Sequence, residues 1–133
     1  MSGNRVTYLD SSAIVKLVIK EPESTTLRRY LQRRKPLVSS ALAQTEVLRA
    51  LLPLGPDAVR RGREVLRTIS LLRVSDRILL EAGGLLPIEL RSLDAIHTAT
   101  ARQFGRDLAR VVTYDERMWA AAEAAGIDVA APR

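Results

Sequence analysis

Cysteine is absent from the 133-residue chain. That absence excludes a disulfide framework, a thiolate nucleophile and a Cys-ligated zinc site, and it fits a reducing compartment. No apolar run approaches the ~20 residues of a membrane-spanning helix, and the opening "MSGNRVTYLD" is polar and then strand-like rather than a signal peptide. The expectation is a soluble, cytoplasmic protein with no membrane partner. Lysine is nearly missing too: Lys16, Lys20 and Lys35 are the only lysines among 21 basic residues. No repeat, low-complexity segment or long internal linker divides the chain.

What is present is enough for a core. Hydrophobic residues make up 47%, too many for a disordered chain, and the length suits one domain spanning 1–133. The net charge of +6 is carried almost wholly by arginine. Arginine grips phosphate with a flat bidentate fork, and a basic surface concentrates nucleic acid around itself. A GC-rich genome that favours arginine codons explains the same bias, so charge alone names no partner.

Apolar periodicity divides the chain into alternating elements. "RVTYL" (5–9), "PLVSS" (36–40), "LLRVS" (71–75), "RVVTY" (110–114) and "IDVAA" (127–131) read as strands. Between them "SSAIVKLVIK" (11–20), "ESTTLRRYLQRR" (23–34), "ALAQTEVLRALL" (41–52), "DAVRRGREVLRTI" (57–69), "DRILLEAGGLLP" (76–87), "LRSLDAIHTATA" (90–101) and "ERMWAAAEAA" (116–125) read as helices. Ser39 or Ser40 can cap the helix 41–52, "PLGP" (53–56) is a break, and Gly126 suits a left-handed helix end. Alternation of this kind predicts an α/β fold, a parallel sheet with helices on both faces.

Four carboxylates draw attention. Asp10 and Asp115 each follow a strand, and in open α/β sheets ligands bind beyond the carboxyl ends of strands. If the first and fourth strands are neighbours, the two lie on one rim; each alone also suits a turn or helix cap. Glu46 sits on an otherwise apolar helix, on the face of Leu42 and Ala50, where it needs a pairing partner; a surface bridge to Arg49 is the simple alternative. Asp94 stands near the start of its helix. Ser92 can cap that helix, and a negative charge in its first turn suits the macrodipole, so Asp94 has a local explanation as well as a ligand one. Four such groups in one cleft repel, and a divalent cation removes the conflict. An all-oxygen set suits Mg²⁺ or Mn²⁺. Acidic residues, a hard metal and a basic surround point together to phosphodiester hydrolysis.

With those residues in view, "VTYLDSSAIVKL" (6–17), the glutamate of "SSALAQTEVLRAL" (39–51), "LRSLDAIHTATA" and "VVTYDERM" (111–118) resemble the motif blocks of PIN-domain ribonucleases, and within them the VapC toxins of bacterial toxin–antitoxin pairs. The resemblance spans nearly the whole chain in matching order. It implies a single PIN-like domain with a five-stranded parallel sheet in the order 3-2-1-4-5. It implies Mg²⁺- or Mn²⁺-dependent endonuclease activity on RNA, tRNA or rRNA for preference, a VapB-type antitoxin that blocks the site, and a homodimer. It assigns the family's acids to Asp10, Glu46, Asp94 and Asp115, with Asp10 and Asp94 as direct metal ligands and Glu46 and Asp115 completing the site through a second ion or waters. It assigns an orienting role to Thr113, whose hydroxyl can otherwise satisfy a strand-end backbone group.

Other residues have plainer readings. His97, the only histidine, is expected to pack near the site and hydrogen-bond a neighbour rather than act as acid or base. Met118 and Trp119 are read as core or interface rather than base-stacking groups. Leu17, Val18, Leu27 and Leu31 suit either the core or an antitoxin groove. A phosphoacceptor signalling domain would need a late lysine, and all three lie before residue 36. A nucleotide-binding fold would need a Gly-rich loop after "VTYL", which is lacking. A non-catalytic module that binds RNA or protein and keeps its acids for structure is the alternative to an enzyme.

Overall fold

The computed structural model describes residues 5–133, so the first four residues of the expected 1–133 domain lie outside the described residues. Five strands form one sheet: β1 (Val6–Leu9), β2 (Leu37–Ser40), β3 (Ser70–Leu72), β4 (Leu108–Val112) and β5 (Val129–Ala130). Their order is β3-β2-β1-β4-β5 and every pairing is parallel, as the resemblance implied. Seven α-helices are found among the described residues: α1 (Ser11–Val18), α2 (Ser24–Gln32), α3 (Leu42–Leu51), α4 (Pro56–Leu66), α5 (Asp76–Gly83), α6 (Ser92–Arg102) and α7 (Glu116–Ala124).

Strand alternation explains the two-sided core. Side chains on a strand alternate faces, so Leu9 and Val112 enter one apolar cluster while Tyr8 and Val111 enter another. The first cluster gathers Ile14 and Val18 from α1, Leu27 and Leu31 from α2, Val47 and Leu51 from α3, and Leu66 from α4. Val18, Leu27 and Leu31 are therefore core, and Leu17 is half-buried beside them. The second cluster takes Ala101 from α6 and Met118 and Ala122 from α7. Gly62 marks a close approach of α4 to α3, because a methyl there would collide with the buried Leu51 side chain.

Element ends differ from expectation by a few residues. The "PLGP" break holds a single 3₁₀ turn (Leu52–Leu54), and Gly55 at φ +98° turns the chain into α4. Gly126 has φ +76° just past α7 and fills the left-handed position expected of it. Ser40 Oγ accepts from the Leu42 amide (3.0 Å) at the start of α3, whereas Ser39 Oγ donates to the Leu9 carbonyl (2.6 Å) across the sheet. The expected Ser92 cap is not formed. Extended backbone at Arg91 makes that residue the cap position, with no side-chain bond, and Ser92 becomes the first residue of the helix. A hydroxyl there has passed the position from which it reaches the free amides.

Candidate active site

Leu9 pairs with Val112 across β1 and β4, and the Asp10 amide donates to the Val112 carbonyl (3.0 Å). Asp10 and Thr113 therefore leave the sheet side by side, where the strand order reverses and crossovers diverge to opposite faces. The Thr113 hydroxyl donates to Asp10 Oδ2 (2.7 Å) and accepts from the Asp115 amide (3.0 Å). Ser12 Oγ donates to the same Oδ2 (3.0 Å) and accepts from the Tyr114 amide (2.9 Å). Asp10 is 6% exposed, so these hydroxyls fix a nearly buried carboxylate. Its other oxygen, Oδ1, accepts no hydrogen bond, yet no buried side-chain polar atom among the described residues lacks a partner. Oδ1 is thus open to solvent.

Asp94 lies in the first turn of α6, as expected. Its carboxyl is held above the usual aspartate range, first by burial, then by the negative charges of Asp115 and Asp10. Asp115 and Asp10 are thus close enough to Asp94 to oppose its ionisation. Asp115 also caps α7, accepting from the Arg117 amide (2.8 Å), so its local reading holds as well.

Glu46 is joined to this group through His97. No bridge to Arg49 forms; instead Glu46 Oε1 is bound by His97 Nε2 (2.6 Å) and by the Ser11 hydroxyl (2.5 Å). His97 is buried, its Nδ1 shares a hydrogen bond with the Tyr8 hydroxyl (2.7 Å), and its Nε2 lies 3.9 Å from Asp10 Oδ1. Burial works to lower the imidazole pKa, but the bond to Glu46 and the charges of Asp10, Glu46 and Asp94 outweigh it and raise the value. Burial likewise works to raise Glu46, and the His97 bond and charge, with the Ser11 hydroxyl, turn it downward. The histidine is thus a structural pin, as the sequence led us to expect. Its partner Tyr8, Ser11 at Glu46 and Ser12 at Asp10 were not among the candidates; the hydroxyl pair in "LDSS" directly after a strand-end aspartate is the signal that could have found the serines.

Two clefts flank the acids. One, of about 280 Å³, is lined by Asp94, Arg91 and Arg117. The other, of about 350 Å³, is lined by Thr113, Asp115 and Trp119. Trp119 is half-buried there, while Met118 beside it is core. Among the described residues, no three His, Asp or Glu side chains converge closely enough to hold an ion by themselves. Asp94 lines one cleft and Asp115 the other, and the acids form no closed cage.

The family model described as PIN domain matches residues 7–124, and the chain belongs to that family. Curated relatives narrow the kinship to its VapC ribonucleases. The chain is 61% identical over 125 residues to Ribonuclease VapC46 of Mycobacterium tuberculosis, covering 94% of this chain and 96% of that protein. It is 36% identical over 130 residues to Ribonuclease VapC47 of the same species, with the same coverage. Two solved structures share the fold. Mycobacterium tuberculosis VapC20, described as a toxin that cleaves the sarcin–ricin loop, superposes with a TM-score of 0.76 at 18% identity, over 95% of this chain and 99% of its own. A chain of a toxin–antitoxin complex from Klebsiella pneumoniae gives 0.72 at 22% identity, over 96% and 98%. No helix among the described residues is long and apolar enough to cross a membrane.

Proposed function

We propose that this chain is the toxin of a toxin–antitoxin pair and hydrolyses phosphodiester bonds of tRNA or rRNA in the cytoplasm. The observation that carries the reading is the group of Asp10, Asp94 and Asp115 at the sheet's switch point, with the Asp94 carboxyl held above its usual range by burial and then by the charges of Asp115 and Asp10. A hard divalent ion, Mg²⁺ or Mn²⁺, fits this donor set. Mg²⁺ keeps several of its waters and needs only one or two carboxylates, so a site without three converging ligands suits it. Asp10 and Asp94 would hold it, and Asp115 and Glu46 would add charge through waters or a second ion. When bound, such an ion polarises the phosphoryl oxygens and lowers the pKa of water.

The chain's own residues do the positioning. Thr113 and Ser12 hold Asp10 through Oδ2 and leave Oδ1 free for a ligand. His97 and Ser11 hold Glu46 in its ionised form beside it. Arg91 and Arg117, lining the cleft shared with Asp94, suit the phosphates on either side of the cleaved bond. A VapB-type antitoxin as inhibitor follows from the kinship. Exposed Leu80, Leu86 and Ile88 supply apolar area for a homodimer, which sedimentation would register. The test of the enzyme reading is digestion of tRNA and rRNA by purified, antitoxin-free protein with Mg²⁺, with Mn²⁺ and with EDTA. Discrete fragments that EDTA abolishes support it; cleavage that persists in EDTA overturns the metal.

A further inference from the structure

The cleft beyond Asp115 shares Thr113 and Asp115 with the acidic site, and the proposed hydrolytic machinery leaves the rest of its lining without a role. It is lined by Thr113, Asp115, Glu116, Trp119, Ala131 and Arg133, and its volume of about 350 Å³ lies within the roughly 300–1,000 Å³ of small-ligand clefts. It is continuous with the acids, because Thr113, part of its wall, donates to Asp10 Oδ2 at 2.7 Å. The far wall is braced: the Tyr114 hydroxyl donates to the Pro132 carbonyl (2.6 Å), and Arg133 reaches Glu23 at 3.6 Å. Lys16 and Arg133 both lie over the Tyr114 ring, at 4.8 and 5.9 Å from its centre.

From this lining we infer that the cleft is a subsite for an unstacked RNA base next to the cleaved phosphate, with Trp119 as its stacking surface. A phosphate does not suit the cleft, because Asp115 and Glu116 on its wall repel an anion. A neutral base does suit it. Its flat face can lie on the indole, and its amino or imino edges can donate to the carboxylates. Single-stranded RNA is recognised in this way, with bases splayed from the strand and stacked on aromatic side chains. Arg133, 70% exposed at the rim and 3.6 Å from Glu23, stands where it can meet the outgoing backbone. The sequence alone favoured a core or interface role for Trp119; its half-buried position on a cleft wall beside Asp115 is what changes that reading.

The inference rests on the ribonuclease reading, and the test separates the two. Trp119 is the only tryptophan, so emission excited beyond the absorption of the three tyrosines reports this cleft. Asp94→Asn protein, which leaves RNA uncut on our reading, is titrated with a short mixed-sequence single-stranded RNA and with an abasic oligonucleotide of equal length. Binding is followed in parallel by anisotropy of the labelled strands. We expect saturable quenching by the RNA and none by the abasic strand. Trp119→Ala should weaken RNA binding about 5- to 150-fold, and Trp119→Phe, which keeps an aromatic face, by less. Circular dichroism checks that each variant is folded, and if Trp119→Ala is not, Trp119→Phe and the emission titration decide. RNA that binds without changing the emission, or equal quenching by the abasic strand, overturns the subsite while cleavage by the wild-type protein leaves the enzyme standing. Neither binding nor cleavage overturns both.

Discussion

Replacing His97 by alanine tests the claim that one buried ring ties the two halves of the acidic site together. The ring side chain is 2% exposed and sits between Tyr8 and Glu46. Removing it strands the Tyr8 hydroxyl, whose residue is fully buried, at a cost of about 1–3 kcal/mol. Glu46 loses less, because its side chain is 24% exposed and the Ser11 hydroxyl still binds it. The empty ring volume adds a cavity, and truncating large core side chains to alanine costs about 3–5 kcal/mol in all. The same 3–5 kcal/mol is expected for His97→Ala, a large part of the roughly 5–15 kcal/mol that holds a domain folded. Tyr8→Phe leaves the volume intact and removes one hydrogen bond, so it should cost about 1–3 kcal/mol. Urea unfolding at neutral pH in EDTA measures both. A loss below about 1 kcal/mol for His97→Ala would refute the reasoning, since the site would then not depend on the pin.

The same pair sets a pH window. His97 is raised above 6.5, so its contribution is complete below that pH and fades as pH climbs through its folded-state value; Glu46 is depressed below 4.5, so its contribution is complete above that pH and fades on acidification. Metal-free protein should therefore gain most from the pair between about pH 4.5 and 6.5, and urea midpoints of His97→Gln should lose the alkaline decline seen in the wild type. Asp94 has the opposite sense from Glu46: its carboxyl is raised, so its charge weakens the fold as pH rises through the folded-state value. Asp94→Asn should raise the neutral-pH melting temperature in EDTA, by up to about 1 kcal/mol of stability, while Mg²⁺ should stabilise the wild type and not the variant. Thr113→Val removes a donor to Asp10 Oδ2 and the acceptor of the Asp115 amide. It should cost about 1–3 kcal/mol and slow RNA cleavage, whereas Thr113→Ser should keep both near wild type.

The elements and the acids were legible because each is written locally. β1 runs straight into Asp10, β4 stops at Val112 rather than at the expected Tyr114 yet still aims the chain at Asp115, and Asp94 opens a helix whose small residues announce burial. The strand order was not in the spacing; it came with the family resemblance. What stayed hidden was contact between distant positions. Tyr8 and His97 are 89 positions apart and meet only because alternation along β1 turns Tyr8 toward the face covered by α6. Glu46 was correctly seen to need a partner, but its partner lay 51 positions away rather than at Arg49. Ser92 failed as a cap because backbone geometry one residue earlier started the helix, and composition does not encode that.

The most direct measurement is cleavage of total tRNA and rRNA by the wild-type chain and by Asp10→Asn, side by side in Mg²⁺, with circular dichroism and urea unfolding on both. Asp10 accepts hydrogen bonds that asparagine's carbonyl can also accept, so the fold should survive the change. The account predicts discrete fragments from the wild type and none from the folded variant. A folded Asp10→Asn protein that cuts RNA at the wild-type rate would contradict it, and the acids would then be structural.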